Sequence, residues 1–326
     1  MTKGRILSGM RPTGRLHLGN YKGALENWVR LQDDYECFFA VVDWHALTTG
    51  YENTSEIKDN IREMVLDWLA AGLDPERSVI FVQSHIKEHA ELHLLLSMVT
   101  PLGWLERVPT YKEQLGQLSG RDIATYGFLG YPVLQTADIL AYRADTVPVG
   151  EDQLPHLELA REIIRRFNFL YGSKLPEPQP ALTRAAVLPG TDNRKMSKSY
   201  GNYLGMSADA QEIRQKVHSM VTDPARIHKT DPGHPDICAV YAFHQVFSGD
   251  RAEEIGASCR AGAIGCGECK KNLTARLDEA VGPIAERRAA LAARPGLVDE
   301  VIAAGDARAR RVAAETLEIV RAAMRI

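Results

Sequence analysis

Hydrophobic positions along this chain follow two rhythms that take turns. Apolar runs at RILSG (5–9), ECFFAVVD (36–43), SVIFVQS (78–84) and DTVPVG (145–150) read as buried strands of a parallel sheet, because strands covered on both faces carry near-continuous apolar residues. Between the runs, apolar positions recur every three or four residues. In SEIKDNIREMVLDWLAAG, the residues Ile57, Ile61, Met64, Val65, Trp68 and Leu69 share one helix face, and Gly72 supplies the stop. Strand and helix in alternation predict an α/β fold, a Rossmann-like doubly wound parallel sheet with ligands at the carboxyl ends of its strands. The proline-rich KLPEPQP (174–180) reads as a loop before a last strand near Ala185–Leu188. Beyond about residue 205 the strand rhythm stops and helical spacing takes over, from SADAQEIRQKVHSMV to the Ala/Arg/Glu-rich end. The expected division is an α/β domain over 1–204 and an all-helical C-terminal domain over 205–326.

Composition narrows this picture without redirecting it. A chain of 326 residues has room for two domains, and 45% hydrophobic with 25% charged residues excludes a disordered or fibrous class. No apolar run reaches membrane-spanning length, and MTKGRILSGMRPTG lacks the apolar core of a signal peptide. The expectation is a cytoplasmic protein with no membrane partner and with reduced thiols. A net charge of −3 excludes coating of nucleic acid by bulk charge, yet leaves room for local patches. Residues 270–326 are mildly basic, with 11 Lys+Arg against 8 Asp+Glu.

Four stretches carry candidate chemistry. SGMRPTGRLHLGNYKG (8–23) is a strand end, a turn and a helix opening near Gly19, whose free backbone amides attract phosphate; His17 and Asn20 lie three apart there. Alone, His17 is equally a surface loop histidine. DNRKMSKSYGN (192–202) sets Lys195 and Lys198 among Ser197, Ser199 and Gly201, a cationic loop suited to polyphosphate or simply a solvated one. In GYPVLQTADILAY (130–142), Pro132 suits a first helical turn, so Tyr131, Gln135 and Asp138 share one face at i, i+4 and i+7. Such a polar stripe either faces water or needs partners in the interior. Last, Cys238, Cys259, Cys266 and Cys269 run C-x20-C-x6-C-x2-C among glycines 262, 265 and 267. That spacing reads as a metal site in which four thiolates suit zinc or an iron–sulfur cluster equally. Cys37 stands apart on a buried strand, as a small hydrophobe.

HLGN and KMSKS together resemble the two signatures of class I aminoacyl-tRNA synthetases, and Asn20 replaces the second histidine of the usual HIGH pattern as it commonly does in the tryptophanyl family. Similarity to that bacterial family continues through VVDWHALT, LERVPTYKE, YPVLQTADIL and VPVGEDQ. The resemblance implies an ATP- and Mg2+-dependent enzyme that forms tryptophanyl-adenylate and pyrophosphate, then esterifies the terminal adenosine of the tRNA for tryptophan. It implies a homodimer with an anticodon-binding helical domain. His17, Asn20, Lys112, Lys195 and Lys198 would stabilise charge on the phosphates. ATP would be held by Arg11, Pro12, Thr13, Gly19, Asn20, Gly150, Glu151 and Asp152, with Val187, Lys195, Met196, Ser197, Lys198 and Ser199 opposite.

Leu7, His45, Tyr131, Gln135, Asp138, Val147, Val149 and Gln153 would form the tryptophan pocket, with Asp138 accepting the indole N–H and Tyr131 and Gln153 holding the ammonium. Tyrosyl enzymes share the Tyr…Gln…Asp stripe but place a tyrosine where this chain has Leu7, and an apolar wall leaves a phenol short of a partner. Gln135 departs from the methionine of many bacterial tryptophanyl enzymes. A subset of that family carries a similar cysteine spacing and binds a 4Fe–4S cluster, which favours a cluster over zinc at the four cysteines and turns Arg260, Lys270 or Lys271 toward the anticodon. The rival readings are a tyrosyl enzyme, a small-molecule nucleotidyltransferase with a similar HxGH-like turn, and a non-charging paralogue that senses tryptophan or redox state.

Overall fold

A computed structural model describes residues 3–108, 124–182 and 188–326. Five parallel strands form one sheet: β1 (Arg5–Met10), β2 (Glu36–Val41), β3 (Ser78–Val82), β4 (Thr146–Val149) and β5 (Gln179–Leu182), in the order β3-β2-β1-β4-β5. The chain therefore winds outward from β1 in both directions, and the switch lies between β1 and β4. β1 and β2 keep register over their full length, whereas β1 and β4 register only at Ile6 and Thr146. Past that point the two strands part, and a cleft opens between their carboxyl ends.

The helices are α1 (Leu18–Asn20), α2 (Glu26–Leu31), α3 (Asp43–Gly50), α4 (Ile57–Ala71), α5 (Glu88–Ser97), α6 (Leu102–Leu105), α7 (Tyr126–Ala141) and α8 (Leu154–Tyr171), then α9 (Ala210–Ser219), α10 (Ala239–Phe247), α11 (Arg251–Arg260), α12 (Cys266–Ala292) and α13 (Leu297–Met324). None of the described helices is long and apolar enough to cross a membrane. Alternating strand residues feed two cores, one on each face of the sheet. Ile6, Cys37, Phe39 and Val41 pack with α2 and α4, while Leu7, Phe38, Ala40 and Val42 pack with α5, α7 and α8. Cys37 is 1% exposed, and burial pushes its thiol up to about 12, as suits a small hydrophobe.

α4 ends at Gly72 in a left-handed conformation, the stop that its spacing predicts. Two local expectations need correction. The last strand is not near Ala185–Leu188: β5 begins inside the proline-rich stretch, Leu188 is outside any strand, and 183–187 lie outside the described residues. Pro180 is tolerated because β5 is an edge strand, where one missing N–H leaves no neighbour unpaired. Pro132 is not in a first turn either. α7 starts at Tyr126, where Thr125 caps it by accepting the Phe128 N–H at 3.2 Å, so Pro132 lies in the helix interior.

The C-terminal helices return to the sheet. α12 packs on α4, with Leu273, Leu277, Val281 and Ile284 in the same core. α13 runs along the open edge of β3 and contributes to both cores. At Gly305 the approach is so close that a Cβ would stand 1.7 Å from the Ile80 carbonyl oxygen. Arg308 donates to the Ser78 carbonyl at 3.1 Å and Asp306 accepts the Val82 N–H at 3.1 Å, so side chains of α13 satisfy ladder groups that an edge strand leaves open.

Candidate active site

The cleft between β1 and β4 has a volume of about 340 Å³. Leu7, Val147 and Val149 form apolar walls at the strand ends; Tyr131, Gln135 and Asp138 project from one face of α7; His45 comes from α3 and Gln153 from the turn after β4. These are the eight residues singled out for an amino-acid pocket, and all line this one cleft. Arg11 and Gly150 join them at its edge. Burial lowers the Arg11 pKa, and the guanidinium reaches Thr49 at 3.5 Å.

Asp138 is 3% exposed and has its oxygens filled. Oδ1 meets Gln83 Nε2 at 2.8 Å and His89 Nδ1 at 2.6 Å, and Oδ2 meets His45 Nε2 and Gln83 Nε2 at 2.8 Å each. Burial alone would raise this carboxyl's pKa, but hydrogen bonds from His45 and His89 outweigh burial and hold it well below the usual range. It is therefore an anion at neutral pH. His89 passes the chain on to the Tyr142 hydroxyl at 2.6 Å, and Tyr131 bonds His156 through its hydroxyl. Two members of the polar stripe on α7, Tyr131 and Asp138, are thus interior with their partners in place, and Gln135 between them is half-buried.

The nucleotide signatures lie beside the cleft. His17 caps α1: its Nδ1 accepts the Asn20 N–H at 3.3 Å while Asn20 Oδ1 accepts the His17 N–H at 3.1 Å. Burial, and then the Lys198 charge, lower the His17 pKa to about 4, so the ring is neutral and its Nε2 carries the proton. A Cβ at Gly19 would stand 3.0 Å from that ring and 3.5 Å from the Met196 sulfur, so glycine lets the two motifs meet. The chain after KMSKS seals against the first motif: Leu18 N–H donates to the Leu204 carbonyl at 2.9 Å and Met206 N–H to Leu16 at 3.0 Å. Lys198, its pKa lowered by burial, donates to the Thr13 carbonyl. Lys195 is exposed, and its ammonium has no partner among the described residues. Ser197 caps the short turn that follows by accepting the Ser199 N–H at 3.2 Å.

Beyond β4, Asp152 lies over Gly150, where a Cβ would come within 2.7 Å of its Oδ1. Glu151 is exposed beside it, and Pro12 is buried next to Arg11. Pro12, Thr13, Gly19, Asn20, Glu151, Asp152, Lys195, Met196, Ser197, Lys198 and Ser199 do not line the cleft itself. Lys112 and Val187 lie outside the described residues.

Sequence reasoning missed Gln83 and His89, although for Gln83 its place directly after a buried strand is the available signal; His89 lies further on, in α5. It also missed Asp67, an acid on the buried face of α4. Asp67 Oδ2 accepts the Leu16 N–H at 2.5 Å, immediately before His17, and Oδ1 pairs with Arg288 of α12 at 2.6 Å. Burial raises the Asp67 pKa against these hydrogen bonds.

Cys238, Cys259, Cys266 and Cys269 line one small cavity with Arg226, whose Nη1 stands 3.8 Å from Cys259 Sγ and 3.9 Å from Cys266 Sγ. Among the described residues, no three or more His, Cys, Asp or Glu are drawn together as ligands of a single metal ion. Of the basic residues nearby, Lys270 donates to the His218 carbonyl at 2.7 Å and Arg260 pairs with Asp236 at 3.4 Å; Lys271 is exposed.

Residues 2–282 match the model of the family tRNA synthetases class I (W and Y). A tryptophan–tRNA ligase of Thermotoga maritima is 53% identical over 325 residues, covering 99% of each chain. One of Aquifex aeolicus is 46% identical and covers 99% of this chain and 100% of its own. A solved tryptophanyl-tRNA synthetase of Campylobacter jejuni, complexed with ADP and tryptophan, has a TM-score of 0.87 at 31% identity, covering 99% of this chain and 100% of its own.

Proposed function

The chain belongs to the class I tRNA synthetases of the tryptophan and tyrosine family, and from that membership we propose that it is a tryptophan–tRNA ligase. One carboxylate oxygen of L-tryptophan attacks the α-phosphorus of ATP, the bond to the β-phosphate oxygen breaks, and pyrophosphate leaves with the electron pair. A ribose hydroxyl of the terminal tRNA adenosine then attacks the activated carbonyl, and AMP leaves. The observation that carries this reading is an apolar-walled cleft with one buried, ionised carboxylate, opening beside the His17 cap and the KMSKS loop.

In this reading the indole lies between Leu7, Val147 and Val149, and its N–H takes over one of the two oxygens that Gln83 bridges on Asp138. Tyr131 and Gln153 hold the ammonium, and Gln135 lines the face between them. Neutral His17 donates from Nε2 to a phosphate, and Asn20 supports it. Lys195 and Lys198 close on the leaving pyrophosphate, Gly150 and Asp152 meet the ribose, and Mg2+ travels with ATP. Lys112 and backbone near Val187 and Met196 complete the nucleotide site. Charge stabilisation and orientation supply the rate, since no step calls for a side-chain nucleophile. Leu7 favours tryptophan over tyrosine because a phenol hydroxyl against it would be unpaired. ATP–pyrophosphate exchange driven by each amino acid checks this. Tryptophan alone should support it, and exchange driven by tyrosine would sink the assignment.

The four cysteines fit a four-thiolate centre, being gathered around one cavity with a guanidinium among them. Cys238, Cys259, Cys266 and Cys269 would hold a 4Fe–4S cluster, which would cross-link α10, α11 and α12. The preference for a cluster over zinc rests on the C-x20-C-x6-C-x2-C spacing, which is similar to that of the cluster-bearing subset of the family. Anaerobic protein should absorb broadly in the blue and contain iron; a colourless preparation with stoichiometric zinc would reject the cluster. The helical region from 205 onward, with Lys271 at its surface, is the part that faces the anticodon. Exposed Leu94, Met98, Leu102 and Tyr126, on the mutually packed α5, α6 and start of α7, are the face on which a second copy would dock in a homodimer. The working location is the cytoplasm, where tRNA is charged.

A further inference from the structure

A charged side chain taken out of water needs partners of its own. On α13 one such residue finds them behind the tryptophan cleft. Asp306 is 8% exposed; its Oδ1 accepts the Val82 N–H at 3.1 Å, and its Oδ2 bonds the His85 ring at Nδ1 at 2.6 Å. Arg310, one helical turn further along, donates to the His85 carbonyl at 2.8 Å. A single helix thus grips the Gln83–His85 turn on both flanks. Between those grips lies Gln83, fully buried, whose amide donates to both oxygens of Asp138 at 2.8 Å.

Two observations separate this grip from ordinary docking. The Gln83 side-chain oxygen is buried with no hydrogen-bond partner among the described residues, so the amide is not aimed from its own far side. Its aim depends on the backbone of the turn. Docking of α13, meanwhile, is already secured without a carboxylate, by the close approach at Gly305, by Arg308 on the Pro75 and Ser78 carbonyls, and by the Thr316 hydroxyl on the Ala141 carbonyl at 2.8 Å.

We propose that Asp306 is a positioning residue for amino-acid recognition: from α13 it fixes the Gln83–His85 turn, and through Gln83 it sets how Asp138 meets the substrate. This rests on the ligase reading. It gives the helical region a contact with tryptophan affinity that bypasses the nucleotide side, since the residues that Asp306 touches include none of the HLGN or KMSKS motifs.

The test is ATP–pyrophosphate exchange by the full chain, titrated separately in tryptophan and in ATP. Asp306→Ala should raise the KM for tryptophan about tenfold and leave the KM for ATP within about twofold. Asp306→Asn, which keeps an acceptor for Val82 and a partner for the ring, should recover most of the loss. His85→Ala reads the same grip at a ring with 49% side-chain exposure and should raise the tryptophan KM about threefold, even if Asp306→Ala fails to fold. Arg62→Ala breaks an exposed α13 ion pair at 3.1 Å, away from the turn, and should leave both constants unchanged. A rise in both constants by the same factor, a tryptophan KM unmoved by the Asp306 or His85 change, or a rise reproduced by Arg62→Ala would each overturn the positioning role. Loss of tryptophan-driven exchange in the unaltered chain would instead remove the ligase reading beneath it.

Discussion

Asp138 and Lys195 serve the same proposed reaction from opposite kinds of surroundings. Asp138 is 3% exposed and receives four hydrogen-bond contacts from His45, Gln83 and His89. Lys195 is exposed, with its ammonium unpartnered among the described residues. The amino-acid side is preorganised at its carboxylate: both oxygens of Asp138 are paired before any ligand arrives, and an indole must match a fixed arrangement. The phosphate side keeps its cations in reserve, held only by a backbone carbonyl at Lys198 and by nothing at Lys195. Discrimination between similar amino acids needs rigidity, because an unpaired buried group then costs its full desolvation. Charge that appears only in the transition state is better met by groups that engage late.

That contrast breaks first at Lys195. With no structural partner to lose, Lys195→Ala should leave thermal stability unchanged while lowering the exchange rate by about a thousandfold. Tryptophan binding, measured directly with labelled amino acid, should stay within about twofold. A fall in tryptophan affinity comparable to the fall in rate would mean that the two sides are not separable. Asp138→Asn should give the converse at somewhat smaller size. An amide cannot accept all the donors that the carboxylate does, so tryptophan affinity should drop about a hundredfold while the KM for ATP stays within about twofold. Because three buried donors lose acceptor capacity, the melting temperature should fall as well, which Lys195→Ala should not cause. Equal weakening of both substrates by Asp138→Asn would make Asp138 a fold residue alone.

The same contrast explains what was legible in the sequence. The first four strands and the helix that ends at Gly72 follow from local periodicity, and the rule that doubly wound sheets bind at their carboxyl ends points to the cleft, whereas the identity of its eight residues came from the family resemblance. The i, i+4, i+7 stripe on α7 is a matter of helical geometry, so it survived even though Pro132 lies in the helix interior. The supports behind the site were not legible. Arg288 meets Asp67 across 221 positions and Asp306 meets Val82 across 224, and no local spacing announces such pairs. Each support enters from the C-terminal helices, Arg288 of α12 behind the nucleotide turn and Asp306 of α13 behind the tryptophan turn. β5 was misplaced for a related reason: Pro180 argues against a strand locally, and only its position at the sheet edge makes it acceptable.

His17 lies on the phosphate side yet shares the preorganised character of the other, and its titration offers the smallest and sharpest test. Burial first, and the Lys198 charge second, bring its pKa down to about 4. A depressed histidine pKa means that the folded chain binds fewer protons than the unfolded one between about 4 and the ordinary value near 6.5. Its contribution to stability is therefore complete above about 6.5 and is lost as pH falls through that window toward 4. The neutral ring, with Nδ1 committed to the Asn20 N–H, keeps Nε2–H as a donor across the same range. The ratio of kcat/KM for ATP between the unaltered chain and His17→Asn should accordingly be flat from about pH 8 to pH 5.5, because every other titrating group is common to both proteins. An inflection in that ratio near 6.5 would mean that the ring titrates as it does in water, and that the nucleotide side lacks at His17 the order that Asp138 gives the tryptophan side.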